Sequence, residues 1–132
     1  MNVVDSSAIC KYILREEGWI EVRKCFEEGS ITFELALKEV LNALWKRIIR
    51  KEVKFEYAIK VAEKLMEYSF FKIEKQDEYM LSAFKIASKR KISIYDALFI
   101  ALAKKLNLPL ITSDKKQAEI AKLENIKVAY IP

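Results

Sequence analysis

Aspartate is scarce in this sequence, and the positions of its four aspartates are the most informative chemical feature. The 132 residues include 19 acidic side chains, yet Asp occurs only at positions 5, 77, 96 and 114. Asp5 and Asp114 each follow a short apolar run, and Asp96 is the only acid in residues 92–110. Carboxylates that follow buried strands can meet at one edge of a sheet, where they could bind a divalent cation.

A further carboxylate, that of Glu39, lies early in a helix after the second predicted strand and could overhang the same edge. Clustered carboxylates repel one another, which raises the pKa of some of them unless a cation is present. The chain has no His, which excludes His-based acid–base catalysis, Ser-His-Asp hydrolysis and most zinc sites. Oxygen ligands without His or Cys favour Mg²⁺ or Mn²⁺, and such an ion can activate water as a nucleophile.

Each of these residues also has a purely structural interpretation. Asp and Ser are preferred at helix N-caps, so Asp5, Ser6 and Asp114 could simply begin helices. Residues 93–96 (SIYD) resemble a capping box, and Asp77 fits only a capping role. Four polar residues share one helix face opposite an apolar stripe, as solvated surfaces do: Glu39, Asn42, Lys46 and Arg50. The coincidence of several acids at one sheet edge favours the functional interpretation.

Short apolar runs separated by amphipathic helices predict an α/β/α sandwich with a central, mostly parallel five-stranded sheet. Strands are predicted at residues 3–4, 31–33, 70–73, 108–112 and 126–130. Two helices are predicted before residue 30, followed by helices over residues 34–51, 55–68, 77–90, 94–106 and 114–123. Gly18 and Gly29 are the only glycines, and we expect them to adopt left-handed conformations after the first two helices.

Composition predicts a single folded domain over residues 1–132. Apolar residues make up 52% of the chain, which excludes intrinsic disorder, and no run approaches the ~20 apolar residues of a membrane span. The N-terminus lacks the basic region of a signal peptide, so we expect a cytoplasmic protein. The net charge of +5 is compatible with a polyanionic partner. Cys10 and Cys25 are expected to be reduced, with a disulfide as the alternative in a hyperthermophilic host.

Four segments resemble the successive motifs of PIN domains, and most closely those of the VapC-like toxins of toxin–antitoxin pairs. They are residues 3–8 (VVDSSA), 39–44 (EVLNAL), 93–98 (SIYDAL) and 110–115 (LITSDK). Each motif alone is weak. Four motifs in the right order cover nearly the whole chain, and this makes the resemblance specific.

The resemblance implies a role for each site residue. The acids would form a site for one or two Mg²⁺ or Mn²⁺ ions: Asp5, Glu39, Asp96 and Asp114. Ser6 and Thr112 would orient a carboxylate or a metal-bound water, and Asn42 would do the same or contact substrate. Contacts with RNA phosphates are expected from basic residues beyond two of the acids: Lys46, Arg50, Lys115 and Lys116.

The implied function is that of a metal-dependent endoribonuclease, the toxin of a toxin–antitoxin pair. Metal-activated water would leave a 3′-hydroxyl and a 5′-phosphate because the ribose 2′-hydroxyl is not used. We expect a small antitoxin as partner, and a homodimer because the helices at 34–51 and 55–68 carry surplus apolar residues such as Trp45, Ile49 and Tyr57. The alternatives are a stand-alone RNA-processing nuclease and a non-catalytic PIN-like module that binds protein or RNA.

Overall fold

A computed structural model describes residues 1–67 and 71–132. Its strands are β1 (Asn2–Val4), β2 (Ser30–Phe33), β3 (Lys72–Glu74), β4 (Leu110–Thr112) and β5 (Val128–Tyr130). Its helices are α1 (Ser6–Ile13), α2 (Trp19–Glu27), α3 (Glu34–Ile49), α4 (Phe55–Met66), α5 (Met80–Arg90), α6 (Ile94–Leu106) and α7 (Lys115–Leu123). A 3₁₀ turn, Asp77–Tyr79, leads directly into α5.

The strands form one sheet in the order β3-β2-β1-β4-β5. Every pairing among the described strands is parallel, which confirms the predicted sheet and leaves no antiparallel member in it. β1 lies at the centre, and Val3 and Val4 are completely buried because helices cover the sheet. The sheet order brings the carboxyl ends of β1, β2 and β4 side by side.

Helix α6 is the most deeply buried helix of the described chain. Residues 97–103 are all buried, since the helix packs against both α5 and β1. A helical segment that is apolar on every side, as residues 97–103 are, is typical of a protein interior. None of the described helices is long and apolar enough to cross a membrane. Asp96 immediately precedes this buried run, so the packing of α6 fixes its position.

The predicted elements agree with the structure, and the differences lie at their ends. Helix α5 was expected to begin at Asp77, but residues 77–79 form the 3₁₀ turn. Asp77 is the first residue of that turn, and the capping position before it belongs to Gln76, so the capping role expected for Asp77 is wrong. The predicted end of α4 at residue 68 and the predicted start of β3 at residue 70 lie outside the described residues.

The two glycines differ in their positions relative to the helices. Gly29 has a φ of 91° and follows α2, as predicted. Gly18 is left-handed as predicted, with a φ of 93°, but it caps the start of α2 rather than the end of α1, where Arg15 is the left-handed residue, with a φ of 54°. The Arg15 guanidinium lies 4.6 Å from the ring centre of Tyr12 and 4.3 Å from that of Trp19. These cation–π contacts favour a conformation that a non-glycine residue rarely adopts.

A buried carboxylate, that of Glu124, holds together the opposite, amino edge of the sheet. Its side chain is only 3% exposed and accepts a 2.8 Å hydrogen bond from Lys104 Nζ. The Arg90 guanidinium lies 2.7 Å from it, and Lys89 Nζ lies 3.8 Å from it. Hydrogen bonds from Lys104 and Arg90 hold the pKa of Glu124 below its ordinary value, although burial acts in the opposite direction. This cluster joins the C-terminal ends of α5, α6 and α7.

The two cysteine thiols are free. Cys10 lies on α1 and Cys25 on α2, and each is partly buried. Burial raises the pKa of both thiols, so both remain protonated at neutral pH. The arrangement agrees with the expectation of reduced cysteines.

Candidate active site

The carboxyl ends of β1 and β4 bring Asp5 and Asp114 to the same edge of the sheet. Val4 pairs with Ile111 in the register of the two strands, and the Asp5 N–H donates to the Ile111 carbonyl (3.3 Å). Asp5 is the first residue after β1, and Asp114 follows β4 after one intervening residue. Two of the predicted acids therefore meet because their strands are adjacent and parallel.

The carboxylate of Asp5 is buried and held at both oxygens. Its Oδ1 accepts hydrogen bonds from Ser7 Oγ (2.7 Å) and the Ala8 N–H (3.1 Å), and its Oδ2 accepts one from Thr112 Oγ1 (2.5 Å). Burial raises the pKa of Asp5 to about 6, and repulsion from Asp114 adds to this effect, although the three hydrogen bonds oppose it. Asp5 is thus an oriented but poorly solvated carboxylate.

Glu39 and Asp96 extend the acidic edge from two helices. Ser6 Oγ donates to Glu39 Oε1 at 3.1 Å, and Glu39 is half-buried on α3. Burial raises the pKa of Glu39, and repulsion from Asp96 and Asp5 raises it further. Asp96 is an exposed residue in the first turn of α6, but nearby groups partly desolvate its carboxylate. This desolvation, with repulsion from Asp114, raises the pKa of Asp96.

The acidic site, defined as Asp5, Glu39, Asp96 and Asp114, lacks basic partners. Within residues 1–67 and 71–132, none of these four carboxylates forms an ion pair with Lys or Arg. A hydrogen bond with Ser93 and, to a lesser extent, the positive charge of Lys116 lower the pKa of Asp96. The part of the chain that is described also contains no group of three acids close enough to enclose a metal ion as they stand. The four carboxylates therefore lie near one another without an ion-pair partner among the described residues.

The structural interpretation of the aspartates is also correct. Asp5 caps α1 through the Ala8 N–H, and Asp114 caps α7 through the Gln117 N–H at 3.0 Å. The Ser93 hydroxyl caps α6 by accepting from the Asp96 N–H at 3.2 Å. A capping carboxylate uses only part of its hydrogen-bonding capacity, because each oxygen can accept more than one bond. Capping and ligand binding are therefore compatible at Asp5 and Asp114.

The predicted supporting residues separate into those near the acidic site and those away from it. Asn42 and Lys46 line a shallow hollow of about 380 Å³ together with Ser6 and Glu39. Arg50 follows the end of α3, about three turns or roughly 16 Å beyond Glu39 along the helix. Lys115 and Lys116 are the first two residues of α7. The charge of Lys116 lowers the pKa of Asp96, whereas the exposed Lys115 has no such effect on it among the described residues.

Two residues of the acidic edge were missed by the sequence-based prediction. Ser7 Oγ donates to Asp5, accepts from the Ser113 N–H at 2.9 Å, and lies 3.2 Å from Thr112 Oγ1. Gln117 is buried, and its side-chain amide donates to the backbone carbonyl of Asp96 at 2.9 Å. Gln117 stands three residues after a capping Asp, the position of Gln or Glu in a capping box, and this signal could have identified it.

Comparison with known proteins decides the family. A family model described as the PIN domain matches residues 3–123. The chain belongs to the PIN-domain family. It is 33% identical over 120 residues to "Ribonuclease VapC3" of Pyrobaculum aerophilum, a match that covers 89% of this chain and 92% of that protein. It is 28% identical over 114 residues to "Exonuclease VapC9" of the same organism, covering 86% of this chain and 80% of that protein.

Solved structures confirm the PIN fold of the chain. The crystal structure of PAE2754 from Pyrobaculum aerophilum superposes with a TM-score of 0.74 at 24% identity, covering 96% of this chain and 89% of that one. FitAcB from Neisseria gonorrhoeae gives a TM-score of 0.69 at 18% identity, covering 97% and 96%. The resemblance drawn from the four sequence motifs is confirmed, and this protein is a VapC-like PIN-domain nuclease.

Proposed function

We propose that this PIN-domain protein is a metal-dependent endoribonuclease and the toxin of a toxin–antitoxin pair. One observation supports the catalytic part most directly: four carboxylates lie near enough at the carboxyl edge of a parallel sheet to influence one another, and none has an ion-pair partner among the described residues. Structural carboxylates at such an edge are usually neutralised by basic side chains. Three of the four, Asp5, Glu39 and Asp96, also have a raised pKa, which is typical of carboxylates in functional sites.

The donor set of the acidic site fits Mg²⁺ or Mn²⁺. It consists of carboxylates with neighbouring hydroxyl groups, and the chain has no His. Hard oxygen donors of this kind suit these two ions rather than zinc. When bound, such an ion supplies Lewis-acid chemistry, acidifying water and neutralising charge on the phosphate. The repulsion between Asp96, Asp114 and Glu39 is the energetic cost that its binding relieves.

The residues of the chain have separate tasks in this proposal. Asp5 is a ligand of fixed orientation, because Ser7, Thr112 and the α1 backbone hold both of its oxygens. Ser6 orients Glu39 in the same way from the start of α1. Lys46 and Lys116 are the cations placed to contact RNA phosphates, which the acidic edge would otherwise repel.

Circular single-stranded RNA provides the sharpest test of endonuclease activity. An endonuclease opens the circle, whereas an exonuclease requires a free end, and one of the two relatives is named an exonuclease. We expect wild-type protein with Mn²⁺ to linearise the circle and leave a 5′-phosphate and a 3′-hydroxyl. The Asp114→Asn variant should leave the circle intact. Degradation of linear RNA alone would contradict the endonuclease assignment.

For the partner, we propose a small antitoxin that inserts a basic side chain into the acidic site. An Arg guanidinium can pair with two carboxylate oxygens at once, and the four unpaired carboxylates offer such oxygens. Co-expression with the product of an adjacent small gene should give a stable complex with reduced nuclease activity. If no adjacent gene encodes such a protein and expression of this chain does not slow growth, a stand-alone RNA-processing nuclease replaces the toxin.

We further propose a homodimer formed through the outer faces of α3 and α4. Trp45, Ile49 and Phe55 are more than half exposed. Trp45 and Phe55 line a small apolar hollow between the two helices, and Ile49 follows Ile48, which also lines it. Exposed apolar side chains concentrated in one region usually mark an interface. Light scattering should give about twice the 15.4 kDa chain mass for the wild type. The Ile49→Lys variant should be monomeric, and a monomeric wild type would contradict the proposal.

A further inference from the structure

A pocket of about 490 Å³ lies directly beside the acidic site, between the starts of α3 and α6 and the end of β3. Its walls are apolar and include Leu35, Ile73 and Leu98. Tyr95, which is 57% exposed, forms an aromatic surface at its mouth. The pocket has the size and character of a site for a small planar group rather than for a phosphate.

On each of two helices, a residue that lines the pocket is followed directly by an acid of the acidic site. On α3, Lys38 lines the pocket and Glu39 follows it. On α6, Tyr95 lines the pocket and Asp96 follows it. Lys38 also lines the hollow that contains Ser6 and Glu39, so one cation borders both spaces. A ligand with one part in each space would therefore consist of an anionic group joined to a flat apolar group.

The rim of the pocket indicates which flat group fits. Glu34, Glu74 and Asp77 surround it with acceptors. Both Glu74 oxygens already accept hydrogen bonds, from the Lys75 N–H at 3.2 Å and the Tyr79 hydroxyl at 3.3 Å. The carboxylates of Glu34 and Asp77 are exposed and can accept from amino groups. The ion pair between Glu34 and Lys38 is loose: Lys38 Nζ lies 3.8 Å from Glu34 Oε1, and the two side chains are 73% and 69% exposed, respectively.

We propose that this pocket receives one unpaired RNA base that carries an exocyclic amino group, from a nucleotide adjacent to the scissile phosphate. The base stacks on Tyr95, its amino group donates to the acidic rim, and Lys38 contacts the intervening phosphate. Stacking on exposed aromatic side chains, combined with hydrogen bonds to base edges, is how proteins bind single-stranded RNA. The proposal rests on the ribonuclease function and adds the determinant of its sequence preference.

The alternative occupant is an amphipathic peptide from a partner protein, since an apolar pocket with acidic acceptors also fits a basic peptide. Lys38, which borders both spaces, favours the base, because it joins the pocket to the place where a scissile phosphate would lie. A base pocket changes which RNA is cleaved. A peptide pocket changes only the affinity for the protein partner.

The test compares cleavage of matched single-stranded RNAs that differ only by cytosine or uracil at each position around the cleavage site. Cytosine has the amino group that uracil lacks. With Mn²⁺, wild-type protein should favour cytosine at one position. Tyr95→Ala should bring the ratio of cytosine to uracil cleavage rates toward one, because without the stacking ring the base edge is no longer held against the acidic rim. Tyr95→Phe should retain the preference, because stacking needs only the ring.

The control is Phe84→Ala, which removes an exposed aromatic residue of α5 outside the pocket and should leave the preference unchanged. If Tyr95→Ala disturbed the neighbouring Asp96, cleavage of all the RNAs would slow equally. The ratio of the cytosine and uracil cleavage rates therefore separates loss of base recognition from damage to the active site. Unchanged discrimination in Tyr95→Ala, or a wild-type preference for uracil, would overturn the proposal. Absence of any metal-dependent cleavage by wild-type protein would instead contradict the proposed function. Lost affinity for a protein partner with unchanged base preference would assign the pocket to the peptide.

Discussion

Buried carboxylates at the two edges of the sheet have opposite electrostatic surroundings. At the amino edge, Glu124 is surrounded by three basic side chains, and its pKa is lowered. At the carboxyl edge, Asp5 is also inaccessible to solvent but has no basic partner, and burial, with a smaller contribution from repulsion by Asp114, raises its pKa to about 6. Both carboxylates accept several hydrogen bonds, so hydrogen bonding alone does not explain the difference.

The difference separates an edge that is neutralised within the chain from one that, in our proposal, is neutralised by a bound cation. A carboxylate with basic partners stabilises the folded chain without any ligand. Carboxylates without such partners destabilise it, and their cost is offset only when a cation binds. The sheet topology explains the arrangement, because sites in parallel sheets form beyond the carboxyl ends of the strands.

The largest predicted effect is loss of cleavage when an acid of the carboxyl edge is neutralised. We expect Asp5→Asn, Asp96→Asn and Asp114→Asn each to reduce RNA cleavage by at least about 100-fold, and Glu39→Gln to behave similarly. The reason is loss of a cation ligand, so the fold should persist by circular dichroism. Glu119→Gln, an exposed acid of α7, is the matched control and should cleave normally. Wild-type activity in the three Asn variants would show that the site lies elsewhere.

The second prediction concerns the pH dependence of metal-free protein in EDTA. Because the folded pKa of Asp5 is about 6 and its ordinary value is 3.8, the folded state binds this proton more tightly than the unfolded state. Stability should therefore fall as pH rises from about 4 to about 6, by up to about 3 kcal/mol. Glu124 acts with the opposite sign: its contribution is present above its ordinary pKa of 4.5 and is lost as pH falls below that value.

Urea denaturation at a series of pH values checks both signs. Asp5→Asn should flatten the decline in the free energy of unfolding between pH 4 and pH 6. Glu124→Gln should flatten the loss below pH 4.5 instead. If metal-free wild-type protein gained stability between pH 4 and pH 6, the assigned environment of Asp5 would be wrong.

The third prediction is that Glu124→Gln destabilises the protein without impairing the chemistry. The variant leaves Arg90 and Lys104 without their buried acceptor charge, which should lower the free energy of unfolding by about 2 kcal/mol. The specific activity of the folded fraction at low temperature should equal that of the wild type. A large loss of activity at full folding would show that the two edges are coupled.

The smallest predicted effect is at Gln117, which links α7 to α6 beneath the acidic site. Gln117→Leu keeps the volume but removes the amide that donates to the Asp96 carbonyl, so Asp96 loses its link to α7, while the backbone N–H that caps onto Asp114 is kept. We expect about a 10-fold lower rate at limiting Mn²⁺, because mutation of residues that orient metal ligands typically costs about 10- to 100-fold. Saturating Mn²⁺ should restore much of the rate. A lower melting temperature with an unchanged metal requirement would assign Gln117 a structural role only.

The acids that follow strands were predictable from the sequence, whereas the side-chain contacts between helices were not. Apolar runs end directly at Asp5 and shortly before Asp114, so parallel pairing was enough to bring these two acids together. The amide of Gln117 reaches a carbonyl on another helix, and that contact depends on how α6 packs. The left-handed Arg15 depends on two aromatic rings brought over it by tertiary packing. The pocket at Tyr95 similarly requires three elements to converge.

Titration of Mn²⁺ into EDTA-treated protein, with cleavage of single-stranded RNA as the readout, tests the central claim most directly. The four unpaired carboxylates at the carboxyl edge predict no cleavage in EDTA and a saturable rise in rate as Mn²⁺ is added. The same titration of Asp5→Asn should remain flat, because its buried ligand charge is gone. Cleavage by wild-type protein that continues undiminished in excess EDTA would contradict the assignment of this edge as a metal-dependent active site.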